Sequence, residues 1–450
     1  MRERPASWLD GTVGDLSYEA DGTTTTVDSA TTLSSLTYDP VTAGETNTLA
    51  GAVLTFADGA NIHVEKGATL VIGNDVVFAG KITKTGWGEV VFNGVVTSAV
   101  TPAADADNYW LTVTEGGATF DGAVTGVRLM TCGAIDANGT PVITLKENCT
   151  VSNYGIVLTA WNEANVACCG ETHQKGATVD YSTTIFDDLI HDNSNWVLTQ
   201  PRRGGYGRYV LDSGELRGHD SFHLSFVWAS GNEYLGSFEF VQNGGTFIEP
   251  KNFMFSRVTS GVKFTYTLNG GRFEFGGSLA GYTDPALNVL NLNGGTYVAN
   301  GSDTIKRETF AFTTSGTVTF EVASGKTLNI ANDGTDAVSF VKTGVGSLAL
   351  DGVFYLDGLD VQTGTVRIGD KLQSVLNGAA DLSIAKTGAT LDLDYDGEAA
   401  FKTLTVDGRE RGAGVYSVAK GPPAVKNVLA GAGELRILEG AGLGSVILIR

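Results

Sequence analysis

Asn243-Gly244-Gly245-Thr246-Phe247, Asn269-Gly270-Gly271-Arg272-Phe273 and Asn293-Gly294-Gly295-Thr296-Tyr297 are copies of one phrase, beginning 26 and then 24 residues apart. Looser copies lie at Gly67-Ala68-Thr69-Leu70, Gly117-Ala118-Thr119-Phe120, Gly176-Ala177-Thr178-Val179, Gly325-Lys326-Thr327-Leu328, Gly388-Ala389-Thr390-Leu391 and Gly433-Glu434-Leu435. Self-similarity at a period of 20 to 50 residues marks a solenoid or array. Each unit here is a glycine turn followed by an alternating strand, so the repeat is all-β.

Composition agrees with that reading. Sixty of 450 residues are glycine, nearly twice the usual ~7%, and glycine supplies the positive-φ turns that coils need. Thr and Val dominate the segments between glycines, as half-buried strands prefer. Prolines number only nine, which excludes a Pro-rich linker. The expected fold is a right-handed parallel β-helix with a short N-terminal cap. Roughly 18 coils of about 24 residues, stacked about 4.8 Å apart, would make a rod near 90 Å long.

Three regions are expected. Residues 1–50, Thr-rich and weakly patterned, read as an N-terminal cap with the first strands. Residues 51–368 form the β-helix, with a looser, loop-rich insertion around 131–235. Residues 369–450 return to β coils and a cap, after a helical turn or two at Lys371-Leu372-Gln373-Ser374-Val375-Leu376.

The formal net charge is −20. That argues against nucleic acid and anionic membrane as partners, since phosphate binding needs clustered Lys and Arg. No stretch reaches the ~18 apolar residues of a membrane span, and no secretory signal is visible at the start. The chain reads as a monomer and a mature fragment or a piece of a longer gene.

Lys84-Thr85-Gly86-Trp87-Gly88-Glu89-Val90-Val91-Phe92-Asn93-Gly94 and Lys342-Thr343-Gly344-Val345-Gly346-Ser347-Leu348-Ala349-Leu350-Asp351-Gly352 resemble the passenger-associated repeat of bacterial autotransporters, K-T-G-x-G-x-L-x-L-x-G followed by a second glycine-led strand. Gln362-Thr363-Gly364-Thr365-Val366-Arg367-Ile368 supplies such a strand. The resemblance implies a right-handed β-helix on an exported protein of a Gram-negative bacterium, secreted or held at the outer surface. It implies no activity and no cofactor. The family's C-terminal translocator barrel has no counterpart here.

Two functional readings are open. The first is a structural, adhesin-like β-helix contacting a host or environmental glycan or a surface protein. The basic-aromatic run Arg202-Arg203-Gly204-Gly205-Tyr206-Gly207-Arg208-Tyr209 stands out in an acidic chain. Arg202, Arg203, Tyr206 and Tyr209, with Trp196 and Trp228, are its candidate ligand contacts, because Arg and aromatic faces stack on sugars and clamp carboxylates. The second reading is a polysaccharide hydrolase or lyase. Asp187-Asp188 and Gly218-His219 loosely resemble elements of polygalacturonases, in which paired carboxyls perform inverting hydrolysis. Asp187, Asp188 and His219 would then be catalytic, with His223 and Arg217 beside them. The enzyme requires these groups to converge in one groove.

Asp392, Asp394 and Asp396, followed by Gly397, match the start of a calcium loop. Its twelfth position holds Thr403 instead of the needed Glu, so the alternative is a solvated acidic strand edge. Four cysteines cluster at Cys132, Cys149, Cys168 and Cys169. Cys132 and Cys149 could face each other across rungs, and Cys168-Cys169 with His173 could hold a soft metal. Buried thiols are the third possibility.

Overall fold

A computed structural model describes residues 13–18, 22–40, 42–99, 110–134, 139–152, 156–160, 167–180, 196–199, 205–218, 221–225, 235–249, 252–255, 261–280, 284–334 and 336–440. It is nearly all β, and its strands stack as parallel rungs in long sheets, as a β-helix solenoid requires. The chain divides into two compact units, 1–248 with 256–264, and 249–255 with 265–450.

In the first unit the alternating strands pair with the next coil in register, so each inward position becomes a column. Leu49, Ile72, Phe92, Phe120, Leu145, Gln174, Leu211 and Gln242 form one such column, all buried. The Phe92 and Phe120 rings stack at 4.9 Å. Because side chains alternate across a strand, the residues between these face outward. The segment anticipated as a cap joins the ladder from Val13, since Val13–Tyr18 pairs with Thr31–Tyr38 and Thr24–Val27 with Thr46–Gly51.

In the second unit, the phrases at Arg272 and Thr296 lie on adjacent parallel rungs. The column Phe273, Tyr297, Phe320, Lys342, Val361, Ile384, Val406 runs through them. Phe273 meets Tyr297 edge-on at 5.5 Å, and Tyr297 meets Phe320 at 5.9 Å. A second sheet stacks Leu328, Leu348, Val366 and Leu391. The expected helical turn is the short helix Asp370–Gln373. The stack ends in antiparallel pairs, Thr403–Val406 with Arg409–Glu410 and Gly414–Tyr416 with Glu434–Ile437.

Two of these columns hold a lysine where neighbouring rungs carry aliphatic or aromatic residues. Lys84 sits between Ile62 and Val113, and Lys342 between Phe320 and Val361. Both are fully buried. The Lys84 Nζ donates to the carbonyls of Gly86 and Gly88 (2.5 Å each) and to Glu115 of the next coil (3.0 Å). Lys342 repeats the arrangement with Thr343 and Gly344 (2.6 Å each) and Thr363 of the next coil (3.1 Å). Burial pulls the two ammonium groups down to about 7 and about 8, against nearby Glu115 and Glu89 at Lys84 and Glu321 at Lys342.

The glycines of K-T-G-x-G complete this corner. Gly86 and Gly344 turn the chain at φ +76° and +70°. A Cβ on Gly88 or Gly346 would stand 2.2 Å from the carbonyl of Glu65 or Ala323 in the preceding coil. One coil later, a Cβ on Gly116 or Gly364 would stand 2.8 or 2.7 Å from the lysine Nζ itself. The strand that follows the repeat in sequence is therefore the next rung, pressed onto the lysine-filled corner. Glutamine does similar work elsewhere: the Gln174 Nε2 donates to Ala177 O (2.7 Å) and Glu215 O (2.8 Å), and the Gln242 Nε2 to Gly245 O (3.2 Å).

Two predictions follow from these columns. Phe273→Ala should destabilise the second unit by about 3–5 kcal/mol, the range for deleting a buried aromatic ring, while Thr296→Ala at the half-exposed turn exit should cost far less. Equal losses in chemical denaturation would mean the inward and outward faces are misassigned. Lys342→Met keeps an unbranched side chain one atom shorter but leaves three inward carbonyls without their donor, and should cost at least about 2 kcal/mol. Lys386→Met, in an exposed Lys386-Thr387-Gly388 of the same spelling, should change stability by less than about 0.5 kcal/mol.

Candidate functional site

The basic-aromatic run enters the first unit on the strand Gly205–Arg217, which pairs with Cys169–Asp180 on one side and Leu235–Gln242 on the other. The register places Glu171, Arg208 and Glu239 side by side on three successive rungs. All three are partly exposed. Tyr206 and His173 lie two residues along their strands and so share this face. About 4.8 Å separates each rung from the next, which sets the Glu171 and Glu239 backbones about 10 Å apart with the guanidinium between them.

The face is tied together electrostatically. His173 Nε2 lies 2.9 Å from Glu171 Oε2. Arg208 Nε is 3.7 Å from Glu239 Oε2, beyond hydrogen-bond length. The Tyr206 hydroxyl donates to Glu239 Oε2 at 3.5 Å. The hydrogen bond from His173, aided by the charge of Arg208, holds the Glu171 carboxyl below its usual range despite partial burial. Burial and the Glu239 carboxylate push the Tyr206 phenol up to about 12. Among the described residues, the Arg208 Nε–H has no hydrogen-bond partner. The result is a small face of alternating charge with an aromatic ring, an ionised carboxylate and a donor-bearing guanidinium.

Of the anticipated ligand contacts, Tyr206 lies on this face. Tyr209 does not: its parity in the strand points it inward, it is fully buried, and its hydroxyl donates to Gln174 Oε1 at 2.7 Å. It is a core residue, and ligand contact at Tyr209 is corrected accordingly. Arg208, its neighbour in the run, takes the outward place between Glu171 and Glu239. Trp196 lies on the strand Trp196–Thr199, paired with Ser221–Ser225, which carries His223. Arg202, Arg203 and Trp228, and the catalytic candidates Asp187, Asp188 and His219, lie outside the described residues. Arg217 is engaged by Glu215 at 2.9 Å.

In the second unit, Asp392 and Asp394 of the acidic triplet lie on Ala389–Asp394, a strand paired on both sides. Asp394 is paired with Arg367 at 2.7 Å, and the same guanidinium reaches Asp351. Asp396 is exposed. Among the described residues, no cluster of three or more His, Cys, Asp or Glu is arranged to hold a metal ion. None of the four cysteines is in a disulfide, and His173, considered for a soft-metal site, pairs with Glu171. A shallow groove of about 240 Å³ on the outer sheet of the second unit is lined by Ser339, Asp360, Asp381, Ser383 and Thr403. It opens above Gly358, and its polar groups are short, without an aromatic platform.

Glu171 and Glu239 had no local signal in the sequence, because they come from the two coils that flank the Arg208 strand, and His173 drew notice only beside the cysteines. Only the combination of strand parity with coil length brings them together. No family model, curated protein or solved structure matches the chain.

The ionisation of Glu171 has a testable consequence. A carboxyl whose folded pKa is depressed contributes stability that is present above its unfolded pKa and is lost as pH falls through the folded value. The melting-temperature gap between the parent and Glu171→Gln should therefore narrow as pH falls from about 6 to about 3. A gap that stays constant would mean the His173–Glu171 contact carries no charge-dependent stability.

Proposed function

We propose that this chain is a structural, adhesin-like β-helix, an exported passenger fragment of a Gram-negative bacterium, that binds glycans through the Tyr206–Arg208 face. The observation that carries the reading is the outward cluster of Tyr206, Arg208, Glu171 and Glu239 on three rungs of a rigid ladder. A tyrosine ring offers an apolar face to a sugar ring, and carboxylates and a guanidinium accept from and donate to hydroxyls. The K-T-G-x-G phrases and their resemblance to autotransporter passengers support export and surface display.

The chemistry of the face favours binding over hydrolysis. A glycosidase needs one carboxyl held protonated to donate to the leaving oxygen. Glu171 is pushed the other way, toward the ionised form, by its histidine. An ionised carboxylate suits a hydrogen-bond acceptor for hydroxyl groups.

The experiment is a glycan array with the parent chain and the double variant Tyr206→Ala/Arg208→Ala. The expected outcome is a defined set of bound glycans for the parent, at least about tenfold weaker binding by the variant, and unchanged circular dichroism. Parent-like binding by the variant would remove the face from the proposal. Release of reducing ends or unsaturated products from a polysaccharide, abolished by Asp188→Asn, would replace the proposal with the enzyme reading.

A further inference from the structure

The geometry points to Cys132 and Cys168 as an oxidisable thiol pair, a modification site that forms a disulfide between neighbouring coils of the first unit. The strand Arg128–Thr131 leads directly into Cys132, and Cys168 directly precedes the strand Cys169–Asp180. Between them, Gly133 and Cys169 form an isolated antiparallel bridge, each N–H donating to the other's carbonyl at 2.9 Å. This bridge fixes the two cysteine-bearing segments against each other where the surrounding rungs run parallel. Within that clasp the Cys132 and Cys168 thiols are hydrogen-bonded.

The other pairings are disfavoured. Cys149 is fully buried, and burial with the Asp121 charge pushes its thiol up to about 12, so little of it is the thiolate that disulfide exchange needs. The Cys169 thiol points to Ala134 O at 3.3 Å. Cys168 and Cys169 are consecutive at the start of an extended strand, where neighbouring side chains point to opposite faces. Cys132 is the partly exposed member of the set, and the hydrogen bond from Cys168 holds its thiol below the usual range. It is the thiol a reagent meets first.

The reaction with a small-molecule disulfide such as glutathione disulfide balances as follows. The Cys132 thiolate attacks one sulfur of the reagent, forming a mixed disulfide and releasing one glutathione thiolate, which takes up a proton. The Cys168 thiol then loses its proton, attacks Cys132 Sγ, and releases the second glutathione. Two protein thiols are oxidised by two electrons, and one glutathione disulfide is reduced to two thiols. The bond would fasten the entry of Cys169–Asp180, the strand that carries Glu171 and His173. It would also lie one hydrogen bond from the Tyr206 rung, because the Tyr206 N–H donates to Cys168 O at 3.0 Å. Its existence does not depend on glycan binding.

The test treats the full folded chain with glutathione disulfide, then denatures it, blocks the remaining thiols with iodoacetamide, and maps peptides without reduction. The expected result is a Cys132–Cys168 linked peptide with alkylated Cys149 and Cys169. The thermal midpoint should rise and then revert on adding dithiothreitol. Cys132→Ser, conservative and at a partly exposed position, should fold, give no linked peptide and show no midpoint rise on oxidation. Four alkylated cysteines after oxidation, a linkage to Cys149 or Cys169, or an oxidation-dependent midpoint rise retained in Cys132→Ser would overturn the assignment.

Discussion

Stacked parallel rungs satisfy their own backbone along the strands, so the difficulty of this fold lies at its corners. Within a ladder every inward residue sits over another, and every N–H and C=O meets its counterpart in the next coil. At a turn the chain leaves that geometry, and some carbonyls aim into the apolar interior with no strand opposite. An unpaired buried carbonyl costs on the order of 1–3 kcal/mol. The chain meets the problem with a long donor inserted into the core column just before the turn. Lys84 and Lys342 bring an ammonium to three carbonyls each, and Gln174 and Gln242 bring an amide. A small residue in the next coil, Gly116 or Gly364, then lets the backbone close over the filled corner.

This explains why a lysine leads the K-T-G-x-G phrase. The alternation of Lys81-Ile82-Thr83-Lys84 alone assigns Lys84 to the same face as Ile82, the buried one, and a reader guided by hydropathy would resist that. The Asn-Gly-Gly phrase was legible because its glycines must adopt positive φ or tolerate close carbonyls, a backbone demand that no other residue meets well. The strand faces followed from period two. Coil length was less legible: the column Ile72, Phe92, Phe120, Leu145, Gln174, Leu211 advances by 20 residues at its shortest step and 37 at its longest. The extra residues fall between strands and leave the rungs in register, so the sequence period drifts while the ladder does not.

The candidate face shows the same division. Tyr206, Arg208 and Tyr209 stand together in sequence, yet parity separates Tyr209 from the other two and sends it to Gln174. Composition drew attention to the run, and parity decides which members can meet a ligand. The partners Glu171 and Glu239 are 37 and 31 residues from Arg208. Their placement follows from coil register, which no spacing rule in a drifting repeat supplies. The charge of −20 concealed this locally mixed patch, because a net value says nothing about how neighbouring rungs alternate.

A rigid ladder also constrains what its outer face can do chemically. Side chains on successive rungs are held at fixed spacing, which suits recognition of an extended, regularly spaced ligand. A general acid needs a site that strips water from one carboxyl while leaving a substrate path to it. Desolvation of that kind does occur in this molecule, at Asp303, whose carboxyl burial raises above its usual range. Yet Asp303 Oδ2 accepts the Leu279 N–H at 2.8 Å, so its oxygen is used to join one coil to another. On the Tyr206 face the carboxylate Glu171 is kept ionised by its histidine neighbour. Where burial raises a carboxyl, at Asp303, the fold uses it as a strut, and on the partly exposed Tyr206 face Glu171 is held toward its charged form. That division of labour is what a binding surface requires of a solenoid, and it places the demand for specificity on the geometry of the rungs.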